Sequence, residues 1–176
     1  VPVATRTGEE NMGWPSAKFL LGHERTNIAG IGASKRELRR LKRVAATETK
    51  NGRPLIEDPL FAAKIAQVEC DLMALEITNL RVLSAEKEKR APGPEASILK
   101  IKGTEIQQAI TELLLQAVGP YGLPYRPGAP SEGDVPVGPS YAAPLGATYL
   151  NMRKLSIFGG SNEIQKNIIS QMILGL

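Results

Sequence analysis

Three long amphipathic stretches, separated by clusters of proline and glycine, constrain the fold of this chain most. In the clearest one, apolar residues recur every three, four or eight positions, which is the period of one helix face, at Phe61, Ile65, Val68, Leu72, Leu75 and Leu83. Asp58 and Pro59 before this stripe are a good N-cap and a good first helical residue, and the stripe predicts a helix ending around Lys89 to Arg90. The pattern favours helices that bury one face against each other.

One further helix is predicted upstream of this one, and another downstream. Upstream, the stretch from about Trp14 to Lys50 predicts one long helix, with Gly30 and Gly32 as candidate kink positions, from the apolar residues Phe19, Leu20, Leu21, Ile28, Ile31, Leu38, Leu41 and Val44. Downstream, the third helix closes near Gly119 and Pro120. It is indicated by Leu99, the aliphatic stem of Lys102, Ile106, Ile110, Leu113 and Ala117.

The last third of the chain combines a long connection with short helices. Residues 119–146 contain seven prolines and six glycines, which exclude a regular helix or a central strand. A short helix is predicted from Ala147 to about Phe158, and a final one capped by Ser161 or Asn162 and ended by Gly175, with Ile164, Ile168, Met172 and Ile173 on its buried face. The prediction is therefore an all-α, antiparallel four-helix bundle with an extra short helix.

Composition excludes several functional classes. The single cysteine, Cys70, excludes a disulfide framework and a zinc cluster. The single histidine, His23, excludes Ser-His-Asp and Cys-His catalytic sites away from this position, and no metal site is expected. The single cysteine fits a reducing compartment, no signal peptide or membrane span is visible, and a cytoplasmic location is expected. The chain of 176 residues starts with Val1 rather than methionine, and is expected to be a fragment with a lead-in at residues 1–12 and a bundle at 13–176.

A basic cluster raises the question of nucleic acid. Six cations fall within nine residues, at Lys35, Arg36, Arg39, Arg40, Lys42 and Arg43, although the net charge is only +4. On a helix they spread over more than one face, and no aromatic residues alternate with them for base stacking. A solvated or interface-lining helix face is preferred, the phosphates of a nucleotide cofactor come second, and nucleic acid comes last.

Two segments carry candidate chemistry. Glu24, in Gly22-His23-Glu24-Arg25, follows an apolar run, and desolvation there raises a carboxyl pKa and makes a better base, whereas the plain alternative is a surface ion pair. His23 is either structural or a hydrogen-bond partner of Glu24. Gly159-Gly160-Ser161 precedes the last helix, where free N–H groups favour an anionic or electron-rich ligand, unless the pair is only a tight connection.

Taken together, these segments resemble the C-terminal helical domain of the acyl-CoA dehydrogenase family from about Met12 to Leu176. The similarity is carried, in the family's order, by Gly13-Trp14, Glu24-Arg25, the 51–59 turn, Gln116-Ala117-Val118-Gly119-Pro120 and, most specifically, Ile157 to Gln165. The resemblance implies a missing middle β-domain before the bundle, FAD as the cofactor, an acyl-CoA substrate, an electron-transfer flavoprotein as acceptor, and a homo-oligomer assembled through the bundle.

The resemblance also implies residue roles. Many members place the catalytic glutamate where this chain has Gly159, but a subgroup similar to the isovaleryl- and long-chain-specific enzymes carries it on the first long helix before an arginine, which matches Glu24 before Arg25. Glu24 is therefore the predicted base. The match places Arg25, Phe158 and Gly159 at the substrate, and it places the flavin contacts at Gly160, Ser161 and Glu163 and, for a neighbouring subunit's FAD, at Gln116 and Gly119.

One departure keeps other functions open. The arginine and phenylalanine with which many members hold a neighbour's FAD correspond here to Glu48 and Asn51. A non-catalytic assembly module, or the silent subunit of a heteromeric dehydrogenase, is the alternative to an enzyme, and a basic nucleic-acid binder ranks third. The 176-residue piece alone is expected to be inactive and to bind FAD weakly or not at all.

Overall fold

The computed structural model describes residues 2–17, 19–20, 29–87, 93–124 and 137–176. Within these ranges the helices are α1 (Ile31–Thr47), α2 (Pro59–Lys87), α3 (Glu95–Val118), α4 (Leu145–Met152) and α5 (Asn162–Ile169), and residues 13–17 and 19–20 are also helical. A two-residue hairpin pairs β1 (Thr49–Lys50) antiparallel with β2 (Arg53–Pro54). The predicted all-α helical fold is confirmed.

Helix α2 begins as its sequence predicts. The Asp58 carboxylate accepts a hydrogen bond from the backbone N–H of Phe61 at 2.9 Å, which satisfies one of the free donors of the first turn. The predicted stripe is buried from Phe61 to Leu75, but its last member is wrong, because Leu83 is 38% exposed and Val82 is the buried residue at 8%. The helix end predicted at residues 89–90 lies outside the described residues.

Helix α3 is the centre of the domain and packs against each of the other four helices. Its predicted apolar residues are buried, namely Leu99, Ile106, Ile110, Leu113 and Ala117. The inward role predicted for Lys102 is wrong, since this side chain is exposed and its Nζ donates to Glu105 Oε2 at 2.8 Å. Lys100 is the lysine that lies inside, with no exposed surface.

The prediction of a single long helix over residues 14–50 is wrong, because Ala29 and Gly30 are not helical and interrupt it. Gly30 has a left-handed backbone, with φ of 59°, and stands immediately before α1. Ala29 is fully buried, and a Cβ added to Gly103 of α3 would lie only 2.6 Å from the Ala29 Cα. The backbone of Ala29 therefore rests on α3 where a glycine makes room, and a left-handed residue cannot continue a helix.

The last helix is capped as predicted but buries a different face. Ser161 caps α5, and Gly175 follows the π-helical turn Ser170–Leu174 that extends it. The buried residue is Gln165, whereas the predicted inward residues Ile164, Met172 and Ile173 are exposed and Ile168 is partly buried. Asn162, in the polar first turn of α5, contacts Lys100 and Thr104 of α3, while Ile164 faces away from the core. The preceding short helix, α4, starts at Leu145 and continues as a 3-10 turn, Arg153–Ser156.

Residues 2–12 are exposed and contain only a 3-10 turn, Val3–Thr5, so the assignment of residues 1–12 to a lead-in stays a prediction. Within the described ranges, none of the helices combines the length and hydropathy needed to cross a bilayer. The same ranges hold no group of three or more histidine, cysteine, aspartate or glutamate residues arranged to bind a metal ion.

Candidate functional site

Two consecutive glycines form a tight corner before α5. Gly159 and Gly160 both have positive φ, 66° and 86°, which L-residues with a Cβ rarely adopt. A side chain on Gly160 would also overlap Gln165 Nε2, which is buried beside it. Ser161 then returns to extended backbone, and its Oγ accepts from the N–H of Ile164 at 3.4 Å. Glycine at both positions allows the chain to turn this sharply, which fits the tight connection that was one of the two interpretations of the glycine pair.

The first turn of α5 contains a polar arrangement that lowers the pKa of Glu163. The N–H of Glu163 itself and the Ser161 hydroxyl donate to its carboxylate, and the positive charges of Lys166 and Lys100 add to the effect, so the pKa of Glu163 lies below its usual value. Glu163 is therefore ionised at neutral pH. Ser161 and Glu163, two of the predicted cofactor-binding residues, lie together at this corner with Gly160.

A buried lysine supports the corner from the core side. Lys100 Nζ donates to Asn162 Oδ1 at 2.8 Å, and Thr104 Oγ1 approaches the same oxygen at 3.4 Å. Desolvation lowers the pKa of Lys100, and the negative charge of Glu163 partly opposes that change. Sequence reasoning missed Lys100, although its position between the apolar residues Leu99 and Ile101 was an available signal.

The 3-10 turn that leads into the corner is tied to α3 by two side chains that sequence reasoning also missed. Gln108 Nε2 donates to the carbonyl oxygens of Met152 and Arg153, at 3.3 Å and 3.2 Å. Arg153 returns a hydrogen bond from Nη2 to the Gln108 carbonyl oxygen at 2.9 Å and another to Thr111 Oγ1 at 3.2 Å. Both ends of the corner are therefore fixed on the same helix, which limits its freedom.

The other two predicted cofactor residues lie elsewhere. Gln116 and Gly119 are exposed at the C-terminal end of α3, and Gln116 Oε1 accepts from Lys64 Nζ at 3.1 Å. Along the helix axis, Gln116 is about 24 Å from Lys100, at roughly 1.5 Å per residue. The structure therefore does not bring these two residues to the corner.

Glu48, one of the two departures from the family pattern, has a partner within the chain. Its Oε1 accepts a hydrogen bond from the Tyr141 hydroxyl at 2.7 Å, and Arg40 Nη2 donates to the Tyr141 carbonyl oxygen at 3.3 Å. The Glu48 hydrogen bond is the main reason why the pKa of Tyr141 is raised above its usual value. Asn51 forms the hairpin turn with φ of 53°. These contacts attach the segment before α4 to the end of α1.

Two of the basic residues of α1 face carboxylates of α2. Lys42 Nζ is 2.7 Å from Glu69 Oε2, and Lys35 forms an ion pair with Glu76. Arg40 pairs with Glu37 on its own helix at 3.3 Å. This arrangement agrees with a helix face that lines an interface between helices.

The remaining predicted site residues divide into two groups. Phe158, next to the corner, is 46% exposed, so its ring is available to a ligand or a partner. Glu24, Arg25 and His23 lie outside the described residues. The described residue that follows them, Ala29, is fully buried on Gly103, one turn along α3 from Lys100.

Comparison with known proteins gives the same family. Residues 11–174 match the family described as "Acyl-CoA dehydrogenase, C-terminal domain". The chain is 31% identical over 182 residues to "Acyl-CoA dehydrogenase FadE26" of Mycobacterium tuberculosis, covering 100% of this chain and 43% of that protein. The chain belongs to the acyl-CoA dehydrogenase family, as a C-terminal domain of it.

Solved structures agree. A chain of the "ChsE4-ChsE5 complex from Mycobacterium tuberculosis" superposes with a TM-score of 0.75 and 28% identity, covering 100% of this chain and 44% of that one. A variant titled "Tcur3481-Tcur3483 steroid ACAD" gives a TM-score of 0.74 and 27% identity, with 100% and 43% coverage. The chain thus spans less than half the length of the relatives that it matches.

Proposed function

We propose that this chain is the C-terminal helical domain of an FAD-dependent acyl-CoA dehydrogenase in which Glu24 removes the α-proton of an acyl-CoA thioester. The family match over residues 11–174 supports the class. The observation that carries the assignment to this site is that one turn of α3 contacts both relevant segments: Gly103 supports Ala29, while Lys100 and Thr104 contact Asn162 beside the glycine corner.

Chain connectivity limits how far Glu24 lies from this turn. It precedes Ala29 by five residues. An extended chain rises at most roughly 3.6 Å per residue, so their Cα atoms are within about 18 Å of each other. At the corner itself, Gly159, with φ of 66°, stands where many family members carry the glutamate that acts as the catalytic base. A carboxylate that reaches the substrate from the segment before Ala29 is therefore the candidate that the chain offers.

The chemistry demands a base of this kind. The α-hydrogen of a thioester is weakly acidic, so its removal needs a carboxylate whose pKa is raised by a dry pocket, and hydrogen bonds that strengthen as negative charge grows on the carbonyl oxygen. Arg25, Phe158 and Gly159 are the proposed substrate contacts. Phe158 offers an exposed aromatic face next to the corner, which suits an acyl chain.

The corner fits a flavin. Gly159 and Gly160 carry no Cβ and are partly exposed, so a planar ring can approach their backbone, and the α5 N-terminus adds N–H donors and a positive dipole end. Gly160, Ser161 and Glu163 would hold the ring and ribityl region, while Gln116 and Gly119, about 24 Å away along α3, would contact a neighbouring subunit's cofactor. Bound FAD would supply the hydride acceptor at its N5.

Exposed apolar residues support an assembly of this chain with other helices. Met73, Ile77 and Leu80 form an apolar stripe on the outer face of α2, and Ile164 of α5 and Met172, Ile173 and Leu174 of the following π-helical turn are also exposed. Apolar stripes of this length on helices that already bury another face suit contact with further helices. We propose a homo-oligomer assembled through the bundle, an electron-transfer flavoprotein as the electron acceptor, and a cytoplasmic location.

The test is a comparison of two glutamine variants in the complete protein that contains this chain. General-base catalysis contributes roughly 10²–10⁴-fold, so Glu24→Gln should slow flavin bleaching by acyl-CoA by about that factor. Glu105→Gln, on the exposed face of α3, is the matched control and should bleach at the wild-type rate. The panel should include straight-chain, branched and steroid side-chain acyl-CoAs. Normal bleaching by Glu24→Gln would refute the role of Glu24.

A silent subunit is the second candidate, and the contact between Glu48 and Tyr141 favours it. Glu48 stands where many relatives hold a neighbour's FAD, and here it is occupied by a hydroxyl of its own chain. One similar structure is titled as a complex of two proteins, ChsE4 and ChsE5. Complete protein that binds flavin but does not bleach with any acyl-CoA would favour this alternative, whereas bleaching that depends on Glu24 would exclude it.

A further inference from the structure

The position of Lys100 is unusual for a lysine. It is the largest of the fully buried side chains among the described residues. Burying an ammonium group is unfavourable unless hydrogen bonds and nearby negative charge compensate for the lost water. A methionine or leucine at this position of α3 would fill similar space without that cost. The charge and the hydrogen bond are therefore the features that distinguish this residue from its neighbours in the core.

The ammonium group of Lys100 has a neutral hydrogen-bond partner. Within the described part of the chain, its hydrogen-bond acceptor is the neutral amide oxygen of Asn162, and no ion pair joins it to a carboxylate. Asn162 is the first residue of α5, where the helix dipole is positive and disfavours a cation. Glu163 opposes this only at longer range. The corner thus combines a buried cation with a positive helix end.

We propose that Lys100 is a positioning residue that fixes the Gly159-Gly160-Ser161 corner through Asn162 and whose buried charge raises the reduction potential of the flavin bound there. The inference rests on the proposed function. Bound FAD would accept a hydride from the substrate β-carbon, which is two electrons and one proton, so its charge would become more negative by one, and Glu24 would take the α-proton. A fixed cation nearby favours the reduced state because it offsets that charge.

The positioning half is tested without any cofactor, by amide hydrogen exchange in the 176-residue chain. The N–H of Gln165 donates to the Ser161 carbonyl oxygen at 3.0 Å and reports on the first turn of α5. Lys100→Met should raise its exchange rate at least about tenfold, the effect of roughly 1.4 kcal/mol. Lys102→Met is the matched control, because Lys102 is exposed on the same helix, and it should leave the rate unchanged. Asn162→Ala, which leaves α3 intact, should raise the rate as Lys100→Met does.

The electrostatic half is tested in the complete, flavin-loaded protein by measuring the reduction potential. Lys100→Met should make reduction at least about tenfold less favourable, or roughly 30 mV lower for a two-electron couple, whereas Lys100→Arg should stay near wild type. Unchanged Gln165 exchange in both Lys100→Met and Asn162→Ala would overturn the positioning role. An unchanged potential in Lys100→Met would overturn the electrostatic role. Wild-type protein without flavin would instead refute the proposed function, and the exchange result would still decide the positioning role.

Discussion

Replacing Gly103 with alanine tests the contact that places the upstream segment on α3. In a helix interior, alanine is normally more stable than glycine by roughly 0.5–1 kcal/mol. At Gly103, however, the new methyl group would lie 2.6 Å from the Ala29 Cα and 2.8 Å from its carbonyl oxygen. Both are backbone atoms, so the overlap is relieved only if the whole segment moves. Forcing a methyl group into a packed core costs about 1–3 kcal/mol.

Gly32 provides the matched control, because it is also helical but has no atom within 4 Å of an added Cβ. The propensity gain is common to both variants and cancels in their difference. Gly103→Ala is therefore expected to be less stable than Gly32→Ala by about 1–3 kcal/mol, the cost of overpacking alone. In a chain of this size each kcal/mol shifts the melting temperature by roughly 2–4 °C.

Urea unfolding followed by circular dichroism measures the difference, since the free energy of unfolding extrapolates linearly to water. Gly32→Ala should be slightly more stable than wild type, and Gly103→Ala less stable than Gly32→Ala. In the complete protein, Gly103→Ala should also slow flavin bleaching, because moving Ala29 moves the segment that carries Glu24. Equal stabilisation by the two alanine substitutions would mean that Ala29 does not rest on α3, and the geometric support for Glu24 would be lost.

Three further predictions follow from the corner, the Tyr141 contact and the α2 cap. Gly160→Ala should be less stable than Gly175→Ala in urea unfolding: both glycines have positive φ, but only Gly160 lies against a buried side chain. Tyr141→Phe should lower the free energy of unfolding at pH 8, and the gap should close as pH rises above 10.0, because the pKa of Tyr141 is raised in the fold and its contribution is lost through that pKa. Asp58→Asn should lower the free energy of unfolding above pH 3.8 but match wild type in acid, because Lys50 and the Phe61 N–H lower the pKa of Asp58 in the fold. If the free energy of unfolding of either variant ran parallel to that of wild type across pH, the corresponding contact would be contradicted.

The sequence predicted those helices whose signals are local. Asp58-Pro59 and the stripe from Phe61 to Leu75 lie within a few turns of each other, and a long amphipathic period has few alternative structures. The α5 cap was narrowed to Ser161 or Asn162 for the same reason, because a glycine pair and a capping residue are adjacent in the chain. The catalytic role of Glu24 is a different matter, since it rests on resemblance and stays a prediction.

The errors arose where distant residues decide the outcome. The break at Gly30 depends on the approach of Ala29 to Gly103, more than 70 positions away, and a kink or a break looks the same in sequence. Lys100 and Lys102 differ by about 200° around the helix, but both have long stems that pattern reasoning accepts on an apolar face. What selects Lys100 is Asn162, and no local pattern in α3 points to that partner.

Under the proposed function, the same turn of α3 accounts for a base that is supplied from the segment before Ala29. Gly103 faces the upstream segment, while Lys100 and Thr104, on the same side of the helix, face the start of α5. Such a base would need the upstream segment to be held close to the corner. A helix turn with a glycine for close approach and two hydrogen-bonding side chains beside it meets this need, because it fixes both segments on one helix, and the space at Gly159 would then be open to the proposed substrate.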